Sequence, residues 1–88
     1  MAKRRKLNKD FERKIYSSKK NVELVLAKIY DIDDEDIQKE YTASFNGVVN
    51  LYDDLKEDYE KKGFNENSEG FLTNYKNAFK NFESEFEI

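Results

Sequence analysis

From Asp33 to Gly63 the apolar residues Ile37, Tyr41, Phe45, Val48, Leu51, Tyr52, Leu55 and Tyr59 recur at steps of 4, 4, 3, 3, 1, 3 and 4. That spacing keeps to one side of a helix with about 3.6 residues per turn. Both ends carry punctuation. Asp33 is the expected N-cap, and Asp34, Glu35 and Asp36 set negative charge on the positive helix end. Ile32 and Ile37 occupy the positions of a hydrophobic staple. Lys61 and Lys62 fall in the last turn, and Gly63 can take the left-handed conformation that closes a helix, folding Phe64 back toward Tyr59. Such a helix is roughly 28 residues or about 42 Å long. Isolated helices are marginal in water, so it requires partners along its length.

The flanking segments supply them. Phe11, Ile15, Ser18, Val22, Val25 and Ile29 recur at alternating steps of 4 and 3 behind Asn8, a fair N-cap. Leu72, Tyr75, Phe79, Phe82 and Phe86 do the same behind Ser68, the expected N-cap of a third helix. The chain lacks proline, so nothing forbids these helices. The expected fold is all-α: an antiparallel three-helix bundle with helices near 9–30, 34–62 and 68–86, in one domain over 9–88. Residues 1–8 read as a flexible basic arm. Breaks at Ser18, or at the turn dipeptide Asn46-Gly47, would give four helices instead. The nearly heptad spacing of the first two stripes also admits an oligomeric coiled coil.

Composition removes most chemistries. Without cysteine and histidine, thiolate catalysis, the commonest general base and the commonest transition-metal ligand are all missing. The acidic run Asp31 to Asp36 is no EF-hand, because position six is Asp36 instead of glycine and position twelve is Thr42 instead of glutamate. The pairs Asp53-Asp54, Glu57-Asp58 and Glu83-Glu85 read as solvated faces, with no apolar pocket to shift a pKa. No phosphate-cradling glycine loop and no nucleophile elbow occurs. The reading is therefore a non-enzymatic protein with no catalytic residue, no metal and no cofactor. No apolar run approaches the roughly 18 residues of a membrane span, and no secretory signal opens the chain, so a cytoplasmic protein is expected.

Charge is the one feature above background. Residues 1–20 carry nine Lys/Arg against two Asp/Glu, and residues 21–88 seven against seventeen. Net charges of +7 and −10 thus make up the overall −3. Two surfaces follow from this asymmetry. The first is formed by the acidic faces of the second and third helices, with Asp53, Asp54, Glu57 and Asp58 as its candidate residues, suited to a basic, nucleic-acid-handling protein whose surface is made for DNA or RNA. The second is basic: Lys3, Arg4, Arg5, Lys6, Lys9, Arg13 and Lys20, with Tyr16 among them, suited to phosphates and a stacked base. The −10 body repels a long duplex, so nucleic-acid binding would be weak and local, and the acidic surface leads. In size and composition the chain is similar to small phage or plasmid proteins that inhibit or assist a host machine. That likeness implies an inhibitor or accessory factor and assigns no residue a role.

Overall fold

The computed structural model describes residues 6–86 and contains three helices: α1 at Lys9–Tyr30, α2 at Glu35–Lys62 and α3 at Ser68–Phe86. They pack against one another in a rod of 53 × 21 × 18 Å. No strand occurs among the described residues, only a single parallel bridge between Lys6 and Gly63. Helix α1 runs unbroken through Ser18 and α2 through Gly47, so the described chain has no fourth helix.

The apolar stripes meet around α2. Phe45, Val48, Tyr52, Leu55 and Tyr59 are buried on it, and both neighbours contribute to the same core. Most of the filling is aromatic. Phe45 lies 4.8 Å from Phe82 and 6.0 Å from Phe79, centroid to centroid, and Tyr41 lies 4.6 Å from Phe86. Tyr52 meets Tyr75 at 5.9 Å. Tilted and edge-on geometries of this kind add to the area that the rings bury.

Ser18 interrupts the apolar stripe of α1 for a reason visible only in three dimensions. It is buried, its hydroxyl donates to the Lys14 carbonyl at 2.8 Å, and its own carbonyl accepts from the Tyr75 hydroxyl at 3.2 Å. A small side chain there makes room for the Tyr75 ring, which crosses from α3 and is 2% exposed. The hydroxyl group of a buried tyrosine needs a partner, and the backbone of α1 provides one.

The helix ends depart from the expectations. Asp34, not Asp33, caps α2, accepting from the amides of Asp36 at 2.9 Å and Ile37 at 3.1 Å. The shift of one residue moves the staple positions to Asp33 and Gln38. Ile37 accordingly stays 44% exposed, and Gln38 reaches back to the carbonyls of Ile29 and Tyr30, both at 3.2 Å. Those carbonyls belong to the last turn of α1, where intrahelical partners run out, and that of Ile29 also accepts from the Ile32 amide at 3.1 Å.

At the other end Gly63 has φ 73° and ψ −166°, so it is not left-handed helical. This extended, positive-φ region is essentially reserved for glycine. It turns the chain so that the Phe64 amide donates to the Lys6 carbonyl at 2.7 Å. Phe64 then packs on Phe11 at 5.1 Å, and Phe11 packs on Tyr59 at 5.6 Å. Ser68 is the first residue of α3 and not its cap. Its buried hydroxyl accepts from the Asn65 amide at 2.9 Å, closing the loop. Asn8 does cap α1, accepting from the Phe11 amide at 3.0 Å.

Two measurements test this packing. Leu55, 1% exposed at the centre of the core, should lose about 2–4 kcal/mol as Leu55→Ala in urea denaturation. Gly47→Ala should instead gain about 0.5–1 kcal/mol, since a Cβ there meets nothing within 4 Å and alanine is the better helix former.

Burial also pushes the Tyr75 phenol up to about 12 from its ordinary value near 10, and Tyr52 moves in the same direction. Between pH 10 and about 12 the unfolded chain has lost protons that the folded chain still holds. The stability that these phenols contribute is therefore fully present below pH 10 and is lost as pH rises through that window. Tyr75→Phe should make the decline shallower in denaturation curves taken across it. Equal slopes in the two proteins would show that Tyr75 is not the titrating group.

Candidate functional site

Helix α2 turns its core stripe toward both neighbours, which leaves its opposite side in solvent. Asp53, Asp54 and Glu57 lie on that side and are exposed. Asp53 and Glu57 are one turn apart, a spacing at which like charges repel by a few tenths of a kcal/mol. Among the described residues none of the three is ion-paired, whereas Lys56 on the neighbouring strip pairs with Glu60 at 3.9 Å. The field of this region reaches into the core: Tyr52 is raised first by burial and then by the charges of Asp53, Glu23 and Glu60.

Asp58 does not share that exposure. Its side chain is 8% exposed, one oxygen accepts from the Asn65 side-chain amide at 3.0 Å, and the other lies 3.6 Å from the Lys62 ammonium. Asn65 also donates to the Gly63 carbonyl at 2.9 Å and accepts from the Asn67 amide at 2.8 Å. Asp58 therefore anchors the α2–α3 loop. Only the Lys62 partner, one turn on, was readable from spacing; Asn65 comes near through the Gly63 turn.

The basic residues divide into two groups. Lys9, Arg13, Tyr16 and Lys20 share the exposed side of α1, opposite Phe11, Val22 and Ile29. Tyr16 is 59% exposed, and the Lys20 ammonium sits over its ring at 5.0 Å. Arg13 approaches Asp10 at 4.0 Å with both side chains in solvent, a contact of little energetic weight. Lys6 is at the end of the rod, its ammonium 5.9 Å from the Phe64 ring centroid. Lys3, Arg4 and Arg5 lie outside the described residues.

A feature that periodicity alone does not reveal lies between α1 and α2. An open cleft of about 270 Å³ is lined by Ile15, Tyr16, Tyr52 and Tyr59, with Glu12, Lys19, Lys56 and Glu60 also on its walls. On one wall the Tyr59 hydroxyl donates to Glu12 at 2.8 Å and accepts from the Asn8 amide at 3.0 Å. The charges around the cleft are of both signs, so it selects no ligand charge. Its tyrosines come from two separate helices, and only the pairing of α1 with α2 brings them together.

No family model matches the chain, and no curated protein and no solved structure matches it either. The chain's own residues therefore carry the functional argument.

The contrast between Asp58 and its neighbours is measurable. Asp58→Ala should cost about 1.5–3 kcal/mol, because the Asn65 amide loses a charged acceptor in a half-buried loop. Asp54→Ala should stay within about 0.5 kcal/mol of the parent, as exposed substitutions do. Chemical denaturation of the two variants provides the comparison.

Proposed function

We propose that this chain is a non-enzymatic, cytoplasmic protein-binding module, an antiparallel three-helix bundle led by a basic arm over residues 1–8. It acts by presenting the acidic face of α2 to a basic, nucleic-acid-handling protein, as an inhibitor or accessory factor. The observation that carries this reading is the state of Asp53, Asp54 and Glu57. They are exposed, mutually repelling and without an ion pair among the described residues. They also sit on the helix that forms the centre of the core, so their spacing is held by the most buried backbone of the rod. A rigid set of like charges costs the free protein some stability and is repaid when cations of a partner approach. Such a surface competes for contacts that the partner otherwise makes to phosphates.

The test compares the parent protein with Asp54→Lys/Glu57→Lys. Circular dichroism should show the same fold in both, because both side chains point away from the core. The parent, immobilised and exposed to native-host extract, should retain a basic protein at about 0.15 M salt and release it as screening shortens the electrostatic range. The double variant should lose that protein. Equal retention by parent and variant would remove the acidic face from the function.

A further inference from the structure

Among the described residues no other element packs on the side of α1 turned away from the core, and its residues run in an order that complements its own reverse. Lys9 and Arg13 stand at the start, Tyr16, Lys20 and Leu24 follow, and Asp31 closes the helix. Leu24 is 62% exposed and Tyr16 59%, and the two stand about two turns apart on this side. Positions 9, 13, 16, 20, 24, 27 and 31 follow at steps of three and four, which makes one straight stripe of the kind that helix pairing uses.

The charges on this stripe oppose the helix that bears them. The N-terminal end of a helix favours anions and its C-terminal end cations. Asp10, Glu12 and Lys28 obey that rule on the flanks of α1. On the outer stripe it is reversed: Lys9 is the first helical residue and Asp31 is the C-cap. Capping of α2 does not account for Asp31, because Asp34 makes both cap bonds. Within one molecule these charges are a small liability.

We propose that two copies of this chain pair through the outer stripe of α1, the two helices antiparallel about a two-fold axis passing beside Lys20. In that arrangement Lys9 of each copy meets Asp31 of the other, and Leu24 of each covers Tyr16 of the other. The interface is isologous, so every favourable contact occurs twice. Antiparallel packing also sets the two helix dipoles head to tail. A parallel pairing would instead stack Lys9, Arg13 and Lys20 on their own copies and Asp31 on Asp31. Lys20 stands beside the axis, and its ammonium rests over the Tyr16 ring of its own chain at 5.0 Å. This surface is separate from the acidic face of α2, and neither reading depends on the other.

The experiment is sedimentation equilibrium of the full chain at about 50 mM and about 500 mM salt. The expected species at low salt is a dimer, twice the 10.5 kDa chain, whose dissociation constant rises with salt as screening shortens the range of the charge pairs. Leu24→Asp should leave a monomer, with a helical spectrum unchanged by circular dichroism. Lys9→Glu and Asp31→Arg should each weaken association by about tenfold or more, since each sets two like pairs across the interface. Combined in one chain, the two changes should restore the dimer, because the swapped charges pair again. A parent chain that stays monomeric at millimolar concentration and low salt overturns the proposal. So does a dimer indifferent to Leu24→Asp, or a double variant as weak as the singles. Binding of a single-stranded oligonucleotide that requires Arg13 and Tyr16 and leaves the chain monomeric would assign the stripe to nucleic acid instead.

Discussion

A helix of 28 residues with one apolar face is not stable in water until that face is covered, and this fold follows from covering α2. Two shorter helices do so with complementary material. Helix α3 contributes rings, which meet those of α2 along most of its length. Helix α1 contributes mainly branched aliphatic residues, Val22, Val25 and Ile29, with Phe11 at its start. Aromatic filling suits a small core, because each ring removes a large area from water while few torsions are fixed. It also leaves hydroxyl groups that must be satisfied. Tyr75 solves this through the backbone of Ser18, and Tyr59 through Asn8 and Glu12, so two polar contacts fix the position of α1.

The ends of the rod are closed by polar devices instead of apolar ones. At one end Gln38 ties the last carbonyls of α1 to the first turn of α2. At the other, Gly63 turns the chain, Lys6 pairs with the residue that follows it, and Asp58 holds Asn65. The second closure draws residues 6–8, at the end of the basic segment, against α2. The positive and negative ends of the sequence are thereby brought into one body instead of remaining apart.

That arrangement governs the surfaces. Carboxylates and ammonium groups cannot enter an apolar core without a large desolvation cost, so 40% charged residues must occupy the outer faces of three helices. On α2 the outward carboxylates are of one sign and repel. On α1 the outward charges change sign from one end to the other, against the helix dipole. Both features are locally unfavourable, and the proposed partner and the proposed α1 pairing would each relieve one of them.

The sequence by itself determined the three helices, because apolar spacing and the absence of proline act locally and need no knowledge of neighbours. It also grouped Tyr16 with Lys9, Arg13 and Lys20, and the side of α1 that carries them does stay in water. The exact caps were decided by geometry that spacing does not encode. Asp33 and Asp34 are equivalent on paper, and the reach of Gln38 to Ile29 selects one. Gly63 was readable as a helix stop, but its φ and ψ answer to the distant Lys6. Ser18 looked like a flaw until Tyr75 arrived from α3, and Asp58 looked like surface until the loop folded back on it. In each case the deciding contact joins residues from different elements, which only the tertiary structure brings within hydrogen-bonding or packing distance.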